Sequence, residues 1–125
     1  MKNLTIWVLR LVPAIILLQT LFFKFTGAEE SVYIFTTLGA EPYGRIGSGV
    51  MELIAAILLL IPSKSHWGAF LGAGVMSGAI ASHLFILGID VKDDGGTLFA
   101  LAIITFIFCS IIIVKNKNKF FNLLK

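Results

Sequence analysis

Residues 49–61 read GVMELIAAILLLI. Every side chain in this run but one is at home in hydrocarbon, and the exception, Glu52, decides how the rest of the chain is read. An ionised carboxylate facing lipid costs about 2.5–3.5 kcal/mol on insertion scales, so a helix that carries one turns that face toward other helices or gives the group a proton. The run therefore implies a bundle in which Glu52 points inward.

The rest of the chain supplies the partners. Of its 125 residues 58% are hydrophobic and 14% charged, against about 25% charged in a soluble domain, and the mean hydropathy of +0.96 places it in a membrane. Four stretches, residues 4–23, 45–61, 67–89 and 97–114, are long enough at ~1.5 Å per residue to cross a ~30 Å hydrocarbon core, the second being the shortest. None alternates apolar with polar residues, which excludes a membrane barrel and leaves helices. Short connections at residues 62–66 and 90–96 make successive helices antiparallel. The expected fold is all-α, a four-helix transmembrane bundle forming one domain over residues 1–125. In the longer first connection Val32, Phe35 and Leu38 recur at helical spacing. Residues 29–38 thus read either as a short interfacial helix with those three dipping into the membrane surface, or as a plain loop.

Charge sets the expected topology. Lys2, Lys64, Lys115, Lys117, Lys119 and Lys125 fall at one end of the bundle; Lys24, Arg45 and Lys92 fall at the other, together with the acidic residues. Cationic loops stay inside, so both termini are expected in the cytoplasm, with lipid headgroups as neighbours. Basic residues interleaved with aromatics are missing, which excludes nucleic-acid binding. The first stretch also carries parts of a cleaved signal: Lys2 and Arg10, an apolar core at 11–23, and Thr26-Gly27-Ala28. Pro13, Gln19 and the bulky Phe22-Phe23-Lys24-Phe25 argue for a retained helix. The single cysteine, Cys109, lies within the last apolar run and gives no disulfide, no C-x-x-C and no thiolate metal site, so redox work would use a partner's chemistry.

Each helix contributes a polar residue to the outer half of the bundle. Counting inward, Glu52 lies ~10 Å deep, His83 ~9 Å, Gln19 ~6 Å below the rim residue Lys24, and Thr105 ~12 Å. Glu52 needs a donor, and His83 and Lys24 are the available ones. Ser48, Glu52, Ala56 and Leu59 share one stripe of the second helix, and Gly72, Met76, Ala79 and His83 one stripe of the third, leaving room around the polar groups. This arrangement reads as a pocket or proton site, or as a buried polar bridge that only fixes helix register. Gly68, Gly72, Gly74, Gly78 and Ser82 form a small-residue ladder expected to pack helices closely. Arg10 is expected to snorkel toward the inner headgroups. A metal site is not expected: His83 has no His or Cys one turn away, His66 lies at the opposite end, and a lone axial haem ligand has no companion. Asp90, Asp93 and Asp94 in DVKDDGG lack EF-hand spacing and read as a solvated turn closed by Gly95-Gly96.

Three segments in this order, LLQTLFFKFTG (17–27), LGAEPYGRIGSGVMELIAAILLLIP (38–62) and GAFLGAGVMSGAIASHLF (68–85), resemble the DoxX-like family of small four-helix membrane proteins. The resemblance covers about residues 17–85; the fourth helix matches only in being apolar. It implies a bundle in a bacterial-type cytoplasmic membrane, and it places the family's lysine on Lys24, its acidic residue on Glu52 and its histidine on His83. Members of the wider group are linked to membrane redox work, including a quinone-reducing thiosulfate-oxidising complex and oxidative-stress partners. The chain lacks the cysteines of related redox-relay proteins, which argues against direct thiol chemistry.

Two functions of different class follow. One is a membrane subunit with a quinone- or lipid-sized pocket that supports electron transfer by a redox partner. Glu52 and His83 would handle protons there, and Lys24 would hold a polar head. The other is a non-catalytic scaffold or assembly factor for another membrane complex, using the glycine ladder as a contact face. Transport ranks below both: small multidrug exporters share the length, but resemble a pattern with the glutamate in helix one, which here has none.

Overall fold

The computed structural model describes residues 2–90 and 95–118, and every regular element among them is helical. Asp93 and Asp94 of the acidic turn, and Lys92, Lys119 and Lys125 of the charge asymmetry, lie outside the described residues. The elements are α1 (Lys2–Phe25), α2 (Glu29–Thr37), α3 (Tyr43–Leu60), α4 (Ser65–Ser82) and α5 (Thr97–Lys115). A 3₁₀ turn, Pro62–Lys64, joins α3 to α4, and a π-helical turn, His83–Leu87, continues α4. Four of the helical segments are long and apolar enough to span a membrane. The third span differs from a uniform helix in ending on the π turn, closed by the Gly88 N–H donating to the His83 carbonyl at 2.7 Å.

The spanning helices close a ring in which α1 packs on α3, α3 on α4, α4 on α5, and α5 back on α1. Ala14, Leu17, Ala55, Ala56, Leu59, Ala69, Met76, Ala102, Cys109 and Ile112 fill its centre. Ile15, Phe22, Ile57, Phe70, Phe85 and Val114 are exposed on the outside, as expected where lipid is the solvent. Pro13 is buried inside α1, where it removes the N–H that would bond to the Leu9 carbonyl, a loss that membrane helices tolerate when neighbours re-satisfy the backbone.

Of the glycine ladder, Gly68 marks the closest helix approach. A Cβ there would lie 2.5 Å from the Leu59 nitrogen and 2.8 Å from the Ala55 carbonyl oxygen, both backbone atoms of α3. At Gly72 it would meet the Cys109 sulfur at 3.1 Å, so this residue sets the approach of α5. Gly74 and Gly78 differ from the expectation of close packing: nothing lies within 4 Å of a Cβ at either position. They sit on a different face of α4 from Gly68 and Gly72, one that borders open space, and Ser82 on the same face is half-buried with its hydroxyl bonded to the Gly78 carbonyl at 2.8 Å.

One further expectation is corrected. Arg10 does not snorkel. It is 3% exposed, its Nε donates to the Leu59 carbonyl at 2.8 Å, and its guanidinium lies 4.0 Å from the Trp7 ring centre. The last carbonyls of α3 lack intrahelical donors and carry the negative end of the helix dipole, which draws the cation inward. The first connection forms the short helix rather than a plain loop, and α2 lays its apolar face on the bundle, touching α1, α3 and the π turn. Ser31 is buried and Val32, Phe35 and Leu38 are half-buried. The cause is a pair of tight helix ends. Gly27 (φ 68°) and Gly39 (φ 76°) adopt the left-handed conformation open to glycine, with Ala28 N–H bonding to Phe23 O at 3.0 Å and Ala40 N–H to Phe35 O at 2.8 Å. These two reversals fold α2 back over the end of the ring.

Candidate functional site

Beneath α2, the ring opens into a cavity of about 630 Å³. Its walls are mostly apolar, with Leu17, Ile34, Phe35, Met51, Met76 and Leu101 among them, and Gly74, Gly78 and Ala79 keep the α4 side open. That volume lies within the ~300–1,000 Å³ range of small-molecule sites.

The polar groups of the wall centre on Glu52. It is 1% exposed, yet Lys24 Nζ donates to its Oε1 at 2.5 Å and Thr20 Oγ1 lies 3.1 Å from its Oε2. Lys24 also donates to Ser48 Oγ at 3.1 Å and stands 5.4 Å from the centre of the Phe35 ring. Thr20 is 3.0 Å from the Leu17 carbonyl as well, so its single hydroxyl proton is shared between that oxygen and the carboxylate. Burial of a charge is tolerated when it is paired and hydrogen-bonded, and both conditions hold here.

An outer knot fixes the lysine. Arg45 near the start of α3 donates from Nε to the Glu41 carboxylate at 2.8 and 3.0 Å and from Nη1 to the Lys24 carbonyl. The end of α1 is thereby tied to the start of α3, the two helices that carry the Lys24–Glu52 pair.

His83 lines the same cavity and is 5% exposed. Its Nδ1 lies 3.0 Å from the Gly88 carbonyl oxygen. A carbonyl only accepts, so Nδ1 carries a proton and, in the neutral ring, Nε2 is the acceptor. Gly88 closes the π turn that begins at His83, which puts its carbonyl within reach of Nδ1, and such turns recur at functional sites. Phe99 of α5 meets the ring edge-on, with centroids 5.5 Å apart. The expected hydrogen bond from His83 to Glu52 is not formed. Gln19 lines the cavity with an exposed side chain and takes no part in the Glu52 cluster. Thr105 is fully buried in α5, and its hydroxyl has no partner. Among the described residues no three His, Cys, Asp or Glu side chains converge to ligate a metal.

Thr20, Ser48 and the α2 residues were not singled out as site residues by the sequence. A signal for Thr20 existed, since it precedes Lys24 by one helical turn and therefore shares its face.

The family model for the DoxX-like family matches residues 8–111. The chain belongs to the DoxX-like family. No curated protein and no solved structure matches it significantly. The match takes in α3, α4 and about three-quarters of α1 and of α5, and with them every residue of the Glu52 cluster in this DoxX-like chain. Together with the four spanning helices, it makes the DoxX-like protein an integral membrane protein.

Proposed function

We propose that this protein binds a membrane-soluble amphiphile with a hydrogen-bonding head, a quinone in the first instance, and serves as the quinone- or lipid-binding subunit of a membrane redox system. The observation that carries the reading is the cavity itself: apolar walls sized for a small ligand, with a buried, hydrogen-bonded ion pair set into one side. A site that only fixed helix register would be filled by side chains, whereas here Gly74 and Gly78 leave the space open.

The residues fit the group. Lys24 and the His83 ring face the cavity as donors or acceptors for a polar head, and the leucines, methionines and phenylalanines suit an isoprenoid or acyl tail. A quinone supplies two-electron, two-proton redox chemistry when bound. The chain's own part is to hold the head and to supply or remove protons. Glu52 takes a proton when its bond to Lys24 loosens, and His83 exchanges one at Nε2 while Nδ1–H stays on the Gly88 carbonyl. The lone Cys109 is buried in the core, so electrons come from and go to a partner protein. The setting we propose is the cytoplasmic membrane, with both termini inside and the cavity in the outer leaflet.

Purification in a mild detergent followed by mass spectrometry of extracted small molecules tests this. A quinone or lipid retained in a fixed ratio by the wild type, and lost from Glu52→Gln, is the expected result. Extracts free of any retained amphiphile would favour a scaffold.

A further inference from the structure

The opposite end of the bundle holds a second cavity of about 630 Å³, whose polar lining is Thr5, Arg10, Ser65, Lys115 and Asn116. We propose that it is a binding site for a phosphoryl group, supplied by an anionic phospholipid headgroup or by free phosphate, with Arg10 as its principal ligand.

The argument starts from an unbalanced charge. Arg10 is 3% exposed, and although Nε is bonded to the Leu59 carbonyl, Nη2 is buried with no hydrogen-bond partner among the described residues. A buried guanidinium with an unused donor is costly unless an acceptor reaches it, and the Trp7 ring at 4.0 Å offsets only part of that cost. Among the described residues no carboxylate side chain stands at this end of the bundle. The chain's seven acidic residues are Glu29, Glu30, Glu41, Glu52, Asp90, Asp93 and Asp94. The described ones stand at the Lys24 end, Glu52 in the pair already bonded there, and Asp93 and Asp94 fall by sequence in the connection between α4 and α5. None stands in the segments that form the Arg10 end, whereas Lys115 adds a second cation to the cavity wall.

The rest of the lining suits an oxyanion. α4, an 18-residue helix, begins at Ser65, so the positive end of its dipole lies at the cavity. A guanidinium offers several donors in a fork that matches phosphoryl oxygens, and a lysine beside it adds a mobile point charge. Arg10 stands ~9 Å in from the start of the span at Leu4, within reach of a headgroup drawn into an open cleft.

The test uses the full-length protein in a neutral detergent at constant ionic strength, titrated separately with dioleoylphosphatidylglycerol, dioleoylglycerol and inorganic phosphate. The thermal unfolding midpoint is followed, with native mass spectrometry counting retained lipid. Saturable stabilisation by phosphatidylglycerol alone assigns the site to a lipid headgroup, and saturation by inorganic phosphate assigns it to a free anion. Either supports the proposal if Arg10→Gln raises the half-saturating concentration about ten-fold or more, the loss of a charge-assisted hydrogen bond. Lys115→Gln, at an exposed side chain that does not hold the fold together, should raise it about five-fold, and it decides the matter if Arg10→Gln does not fold. No saturable effect of either phosphate source, an equal response to dioleoylglycerol, or half-saturation unmoved in the variants would overturn it.

Discussion

Replacing Lys24 by methionine, Glu52 by glutamine, and both together measures the pair at the heart of the cavity. The geometry gives the terms. Glu52 is 1% exposed and the lysine side chain 16%, with 2.5 Å between Nζ and Oε1, so the pair sits where its attraction is poorly screened. Breaking a comparable pair inside a soluble protein costs about 3–5 kcal/mol, because a bare buried charge is left. Membrane polar contacts average only about 0.6 kcal/mol and reach about 1.7, because the unfolded chain in the membrane finds other partners. Glu52 also keeps Thr20 at 3.1 Å, and both groups sit in membrane-spanning helices, so the lower scale governs. Lys24→Met should cost about 1–2 kcal/mol and Glu52→Gln about 1 kcal/mol or less, since the amide still accepts from the lysine. The double variant should fall short of the sum by about 1 kcal/mol. Reversible unfolding in mixed micelles, followed by circular dichroism, reads all four proteins. Additivity within about 0.3 kcal/mol would show the two groups to be uncoupled and refute the reasoning.

Other variants test the frame around the site. Gly68→Ala should destabilise by about 1–3 kcal/mol, because the added methyl meets α3 backbone at 2.5 Å, whereas Gly74→Ala, facing open space, should be neutral or stabilising. The same unfolding assay compares them, and equal stability of the two would mean that α3 and α4 do not approach as described. For topology, Asp90→Cys and Lys117→Cys, each in a Cys109→Ser background, should react with an impermeant maleimide from opposite sides of the membrane, and labelling from one side would defeat the four-span arrangement.

The spans were legible because hydrocarbon thickness and helical rise fix how long an apolar run must be, and each predicted end falls within two residues of the observed one. Glu52 was legible as inward-facing for an energetic reason, and Lys24 as its donor because it stood at the rim of the neighbouring helix. What failed to show was anything that depends on the angle between helices. His83 shares a depth with Glu52, yet the π turn gives its ring a nearer partner in Gly88, and no periodicity announces a π turn. The roles of Gly74 and Gly78 were equally hidden, since a small residue marks either close contact or open space and the pattern alone does not say which. The course of Arg10 followed from where α3 ends, a tertiary fact, and the way α2 lies on the bundle depends on the Gly27 and Gly39 reversals, which leave only a weak trace in sequence.

The central claim is that the cavity beneath α2 takes a ligand, and filling that cavity tests it most directly. Gly78 borders the open volume with nothing within 4 Å of its would-be Cβ, so a side chain can start there without its first carbon meeting a neighbouring helix, and Gly78→Phe is directed at the ligand's space. Binding of a short-tailed, water-soluble quinone to the detergent-solubilised protein would be measured by isothermal titration for the wild type and for this variant. Saturable one-site binding that Gly78→Phe abolishes, with the unfolding midpoint unchanged, is the result the account predicts. Binding to Gly78→Phe with wild-type affinity would contradict it.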